Sequence, residues 1–209
     1  MKVTPIGTIE VIPAIPEELR ELKNIAYNFR WTWDGEQAAL FRELDPDLWE
    51  RTGRNPARLL REISVAKLHR AAHDHVYLER YRRCVEEAQQ YVSVPSWYET
   101  LCGACPKSEI VYFSMEYGIN ENLPIYSGGL GVLSGDHLKS SSDLGVPLVG
   151  IGLAYRQGYF QQQLTADGYQ TEQFPQNDFE QLAVTPVTDE QGKRVLIPLQ
   201  FPGRTVHVG

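Results

Sequence analysis

The residues best suited to chemistry in this sequence are Tyr126-Ser127-Gly128-Gly129-Leu130-Gly131-Val132-Leu133-Ser134-Gly135-Asp136-His137. Three glycines in four positions let a main chain come within contact distance of a ligand. A helix is expected to follow, running to about Leu144. Its first turn would leave unpaired N–H groups and a positive dipole end. An anion, or a sugar oxygen gaining negative charge, is stabilised in such a place. Two common glycine-loop readings do not fit. Ser134 stands where a dinucleotide fingerprint has its third glycine, and no acidic residue ends the following strand, because Pro147–Ala154 is apolar. The lysine and hydroxyl of a Walker loop are also missing. On pattern alone, a tight strand–helix turn without a ligand stays open as the alternative.

Other constellations carry less. His69 and His73 stand four apart, as metal ligands on one helix face do, with His75 beside them. No Glu completes an H-E-x-x-H pattern, and a solvated helix face is the better reading, so no metal is expected. Cys102-Gly-Ala-Cys105 is a lone C-x-x-C without a second pair and reads as a linker turn. Trp31, Trp33, Trp49 and Trp97 sit among Leu and Phe at helical spacing, which favours core packing over sugar stacking. His137 shares a helical stripe with Leu130, Leu133 and Leu144 and reads as a packed residue rather than a base. Tyr155, Arg156, Tyr159 and Phe160 follow the second strand, at the carboxyl end of a sheet where ligands bind.

Two unlike halves must position these residues. Residues 16 to about 92 predict a helical bundle or cap. Pro16 with Glu17 and Glu18, Asp45-Pro46, Asn55-Pro56 and Asp74 are helix starts. Val76, Tyr77, Tyr81, Cys84, Val85 and Ala88 would line one side of the longest helix. Residues 93–108 hold two prolines and a glycine and read as a linker. Then come a strand over Ile110–Phe113, the glycine loop, its helix, and a strand over Pro147–Ala154, which together form a βαβ unit. Gly158–Leu164 and Tyr169–Phe174 flank the turn Ala166-Asp167-Gly168 as a hairpin, and Val195–Phe201 pairs with Thr205–Val208 across Pro202-Gly203. A parallel sheet needs cover on both faces, and one βαβ unit with two hairpins does not provide it. A truncated domain is therefore expected.

Composition bounds the rest. A chain of 209 residues, 42% hydrophobic, can bury a core and is too apolar for disorder. No apolar run approaches the ~20 residues of a membrane span, and the N-terminal sixteen residues lack a signal-peptide pattern. Three cysteines do not make a disulfide scaffold, so a reducing cytoplasm is expected. With 20 Lys+Arg against 27 Asp+Glu there is no basic stripe for nucleic acid.

The longer string from Tyr112 to Gln162 resembles the α-glucan phosphorylases, the glycogen, starch and maltodextrin phosphorylase family. The matching features are Ser114-Met115-Glu116-Tyr117, Gly128-Gly129-Leu130-Gly131, Ser140–Gly145 and Gly150–Phe160. The resemblance covers about residues 108–209. The first half is similar to the N-terminal extension of the short bacterial and archaeal branch. It implies an α/β chain, with a helical region over 1–95 followed over 109–209 by the first part of a Rossmann-like (GT-B type) glycosyltransferase domain. It further implies reversible phosphorolysis, with retention, of an α-1,4-glucan or maltodextrin by inorganic phosphate to α-glucose 1-phosphate. The implied cofactor is pyridoxal phosphate, whose 5′-phosphate does proton and electrostatic work.

Gly128, Gly129, Leu130, Gly131, Glu116 and Tyr155 are implied as substrate and phosphate residues, with Gly129 and Gly131 also beside the cofactor. Glu116 would position loops or ligand hydroxyls rather than act as an acid. No catalytic residue is assigned. The family's cofactor lysine lies well downstream, and Lys139 does not match it, so this chain alone is expected to be inactive. Val132 departs from the Arg that the vertebrate enzymes carry. The resemblance admits a homo-oligomer and implies no nucleic-acid or membrane partner. Two rivals stay open. A glycogen or starch synthase-like enzyme would carry a Lys before its glycines, where this chain has Tyr126-Ser127. A non-catalytic glucan-binding fragment is the other.

Overall fold

The computed structural model describes residues 11–103 and 109–209. In the first half, helix starts are set by side chains that accept free N–H groups. The segment expected as one helix from Pro16 breaks into a 3-10 turn at Glu17–Leu19, α1 (Leu22–Tyr27) and a second 3-10 turn at Phe29–Thr32. The break is at Asn28, whose backbone is extended and whose side chain accepts the Arg30 N–H. Helix α2 (Gly35–Leu44) is capped by Asp34, α3 (Pro46–Arg51) by Asp45, α4 (Pro56–Glu62) by Asn55 and α5 (Val65–Ala72) by Ser64. Helix α6 (His75–Ser93) is capped by Asp74 through the N–H groups of Val76 and Tyr77.

These short helices bury one apolar core. Leu19, Leu22, Leu40, Phe41, Leu59 and Leu68 are fully enclosed. Trp49 packs its ring 6.3 Å from Phe41 and 6.2 Å from Trp31. Along α6, Tyr77, Tyr81 and Cys84 face this core as expected, but Val76 points to solvent. The hydroxyl of Tyr81 accepts the Glu21 N–H at 3.0 Å, tying α6 to the chain's first turns. Two of the four tryptophans depart from the packing expected of them. Trp33 and Trp97 are 36% and 55% exposed, while Trp31 and Trp49 are buried.

The expected linker contains a helix, α7 (Trp97–Cys102). Ser96 accepts the Glu99 N–H while Glu99 reaches back to the Ser96 N–H, a reciprocal cap that lets six residues stay helical. Cys102 therefore ends a helix rather than lying in a turn, and Cys105 lies outside the described residues.

The second half is an α/β arrangement. Strand β1 (Ile110–Phe113) leads through a long loop to α8 (Gly129–Leu144), and β2 (Leu148–Ile151) then pairs with β1 in parallel, Ile110 opposite Leu148. The expected βαβ unit is present. Antiparallel β3 (Gln161–Leu164) and β4 (Gln170–Gln173) form the first hairpin, and β5 (Ile197–Phe201) and β6 (Arg204–Val208) the second. Both turns use a glycine with positive φ, Gly168 and Gly203. Among the described residues each sheet has two strands. The β1–β2 ladder leaves Val111, Phe113, Val149 and Ile151 exposed, in line with a parallel sheet that is not yet covered.

Candidate functional site

The glycine string folds as the entry into α8. Gly128 is the residue before the helix, and Gly129, Leu130 and Gly131 are its first turn. No side chain caps this end, and the first helical bond is the one the Val132 N–H donates to the Gly128 carbonyl at 3.1 Å. The amides of residues 129–131 therefore present the free donors and positive dipole end that the sequence suggested.

The face that α8 turns inward is made of small residues: Gly131, Ser134, Gly135 and Ser141. The stripe expected to pack, Leu130, Leu133, His137 and Leu144, is exposed instead. The physical reason is the segment after β1. Ser114–Gly118 lies directly on the helix, and only small residues admit it. The Gly118 N–H donates to the Gly131 carbonyl at 2.6 Å, and a side chain on Gly135 would run into the Gly118 backbone. Ser134 donates its hydroxyl to the Glu116 carbonyl at 2.5 Å, and Ser114 donates to the same oxygen at 2.8 Å.

The three glycines of the turn are not equivalent. Gly129 has open space where a side chain would stand. At Gly131 a Cβ would sit 2.7 Å from Tyr126 Cβ and 2.9 Å from Glu116 Oε2. The missing side chain of Gly131 is therefore filled by the protein's own loop. The open space beside the turn lies at Gly129.

Glu116 is committed to the loop. Its Oε2 accepts the Ser127 N–H at 2.5 Å and the Ser127 hydroxyl at 3.2 Å. The chain is thus pinned one residue before the glycines. Tyr117 is buried, and its hydroxyl donates toward the Tyr112 carbonyl (2.6 Å) and the Ile151 carbonyl (3.3 Å), bracing β1 against β2. Burial pushes the Tyr117 phenol above its ordinary value. Tyr155 donates its hydroxyl to the Met115 carbonyl at 2.9 Å.

A cavity of about 300 Å³ opens beside this arrangement. Glu116, Leu130 and Tyr155 line it, together with Tyr126, Ser127 and Tyr159. Of the six candidate residues, these three meet at the cavity. Gly128 and Gly129 are exposed outside its lining, and Gly131 is buried behind Glu116 and Tyr126. Sequence reasoning passed over Ser127 and Tyr126. The signal for both was their position immediately before the glycines, at the entry to the turn.

The remaining constellations do not assemble. Among the described residues no group of three His, Cys, Asp or Glu side chains could hold a metal ion. His73 Nδ1 faces the His69 carbonyl at 2.7 Å, not a shared ligand position. Cys84 is buried, and burial pushes its thiol up to about 11. No helix among the described residues is long and apolar enough to cross a membrane.

The family described as "Protein of unknown function (DUF3417)" matches residues 15–123, and the family described as "Carbohydrate phosphorylase" matches residues 117–205. A glycogen phosphorylase of Mycobacterium tuberculosis is 44% identical over 92% of this chain and 23% of its own length. A maltodextrin phosphorylase of Thermococcus litoralis is 39% identical over 92% of this chain and 23% of its own length. A glycogen phosphorylase of Aquifex aeolicus is 40% identical over 85% of this chain and 25% of its own length. The chain spans about a quarter of the length of these curated relatives. No solved structure matches. With a DUF3417 region leading into a carbohydrate phosphorylase region, and relatives of that name along nearly all its residues, the chain belongs to the α-glucan phosphorylase family and corresponds to an N-terminal portion of such a protein.

Proposed function

We propose that this chain supplies the glycine-turn side of the cleft of an α-1,4-glucan phosphorylase, a glycosyltransferase that releases α-glucose 1-phosphate from glucan and inorganic phosphate with retention. The observation that carries the reading is the uncapped first turn of α8, open at Gly129 and next to a cavity lined by Glu116 and Tyr155. The phosphorylase names of the relatives favour it over a sugar-nucleotide synthase. The proposed organisation is a helical region over 1–95 and the start of a Rossmann-like GT-B domain from 109, with the β1–α8–β2 unit as its first crossover. On this reading the protein works in the cytoplasm.

The chain's own contribution is binding and orientation. The amides of Gly129, Leu130 and Gly131 would hold a phosphate in the field of a sixteen-residue helix. The Gly128–Gly129 backbone, bare of side chains, lets a phosphate or glucosyl unit reach those amides. Glu116 keeps the turn in place through Ser127 and has one carboxylate oxygen engaged there, so loop positioning fits it better than proton delivery. The Tyr126, Tyr155 and Tyr159 rings give the cavity an amphipathic wall of the kind that packs on sugar faces.

The same donor set suits the phosphate end of pyridoxal phosphate. Amides at Gly129 and Gly131 would lie beside it, and an uncapped helix end without a Cβ at Gly129 is the chemistry a phosphomonoester needs. When bound, that group supplies a phosphate able to exchange a proton and hold charge next to the substrate phosphate. The experiment is phosphorolysis by the full-length protein that contains this chain. It should form glucose 1-phosphate from maltodextrin and phosphate, and borohydride should trap a pyridoxal–lysine adduct. Absence of both products removes the proposal.

A further inference from the structure

The helical half touches α8 at the end away from the glycines. Asp143 occupies the last turn of α8, a turn with no basic residue. There the helix dipole is negative and disfavours a carboxylate. Its local setting therefore does not explain this Asp, and its partners come from the helical half. The Tyr91 hydroxyl of α6 donates to Asp143 Oδ1 at 2.8 Å and meets Ser142 Oγ at 2.8 Å. Trp33 Nε1 donates to the same Asp143 oxygen at 3.4 Å. Arg30 stacks on the Tyr91 ring at 4.1 Å, and Lys139 of α8 lies 5.6 Å over the Trp33 ring. One residue past the helix, Gly145 takes a left-handed conformation against Ser96, and any side chain there would strike Ser96. The exposed Trp33, unexplained by the core, has its role here.

A second set of contacts holds the loop that leads into the glycines. Asn122 Nδ2 donates to the Arg54 carbonyl at 2.9 Å, at a residue held in positive φ. Asn55 Nδ2 donates to the Gln181 carbonyl at 3.2 Å, and Arg61 to the Glu180 carbonyl at 2.9 Å.

We propose that the helical region is a clamp that sets the tilt of α8, with Tyr91 and Trp33 on Asp143 as its grip and Asn122 on Arg54 as its second hold. These contacts are directional hydrogen bonds and ring contacts, which fix orientation rather than supply bulk adhesion. The lever is long. Sixteen helical residues span about 24 Å, so a tilt of about 2.5° at the clamped end moves the glycine amides by about 1 Å. Misplacement of that size costs on the order of a hundredfold in rate where geometry is demanding. Tyr91, Trp33 and Asp143 are thus positioning residues. Only the consequence for turnover rests on the phosphorylase reading.

The test uses Asp143→Ala, Asp143→Asn and Tyr91→Phe. In the 209-residue chain, without substrate, amide exchange over residues 128–146 should quicken several-fold in Asp143→Ala and Tyr91→Phe. The α2 and α5 peptides should stay unchanged as an internal control for folding. Asp143→Asn, which keeps an acceptor oxygen, should restore protection. In the full-length protein, kcat should fall about tenfold or more in Asp143→Ala, with KM for maltodextrin little changed and the Asn variant rescued. Exchange over 128–146 within twofold of wild type in both loosening variants overturns the clamp, as does an Asn variant as loose as Ala. A wild-type full-length protein without phosphorolysis would remove the phosphorylase reading, while the exchange result still decides the clamp.

Discussion

Gly131→Ala should loosen the loop it packs against, whereas Gly129→Ala should not. An added Cβ at Gly131 would stand 2.7 Å from Tyr126 Cβ and 2.9 Å from Glu116 Oε2, where ordinary contact begins at 3.4 Å. Tyr126 Cβ is fixed to the main chain, and the Glu116 carboxylate is held by Ser127, so neither gives way by a side-chain rotation alone. Overpacking of this kind costs about 1–3 kcal/mol. The gain in helix propensity from Gly to Ala offsets up to about 1 kcal/mol in a helix interior and less in a first turn. The net expectation is a loss of about 1–2 kcal/mol, or a factor of about 5–30 in local opening. At Gly129 nothing opposes the methyl, so the change should be neutral or slightly stabilising. Amide exchange followed by mass spectrometry reads both variants. Peptides across 114–135 should exchange faster in Gly131→Ala and not in Gly129→Ala. Equal protection in the two variants, or a larger loss at Gly129, would refute the packing argument.

Three further outcomes follow from single contacts. Tyr117→Phe removes the hydroxyl that spans the Tyr112 and Ile151 carbonyls and should cost about 1 kcal/mol, read as faster exchange in β1 and β2. Asp45 caps α3 and pairs with Lys67 at 2.5 Å. Burial works to raise its carboxyl, but the Lys67 contact and the Leu48 N–H outweigh it and hold it below the usual range. Its contribution is present above the unfolded carboxylate range and lost as pH falls through the lowered folded value. Asp45→Asn should therefore flatten that part of the acid-unfolding curve. Cys84 runs the other way. Burial holds its thiol at about 11, so its stabilisation is complete below the ordinary thiol range and is lost as pH rises toward 11. At pH 8 iodoacetamide should modify Cys102 and leave Cys84 untouched until the chain unfolds.

The helical half was legible because its signals are local. Asp45, Asn55 and Asp74 announce helix starts through their own side chains, and Pro46 and Pro56 sit at first-turn positions. The break at Asn28 and the helix hidden in the linker were not read. The first depends on one Asn side chain competing for an amide, and the second on a reciprocal cap four residues long. The βαβ unit and both hairpins were legible from strand texture and from turns needing positive φ at Gly168 and Gly203. At the candidate site, residue types pointed to the turn that opens α8 but not to the different surroundings of its glycines. Glycine composition cannot distinguish open space at Gly129 from space filled by Glu116 and Tyr126 at Gly131. The inward face of α8 was misjudged for the same reason. Leu130 and Leu133 carry the hydrophobicity, yet Ser134 and Gly135 carry the contact, because the backbone of residues 116–118 comes too close for anything larger. The Tyr91–Asp143 contact joins residues 52 apart, and its one local sign is an acidic side chain at the wrong end of a helix dipole.

The measurement that bears most directly on the central claim is glucose 1-phosphate release by the full-length protein carrying Gly129→Val. A Cβ at Gly129 has open space within 4 Å, so the substitution is expected to leave the fold in place and to obstruct a ligand approaching the α8 amides. Turnover should fall about a hundredfold or more, with circular dichroism and amide exchange unchanged, in keeping with the loss of main-chain donors to a reacting anion. Turnover close to wild type in that variant would contradict it.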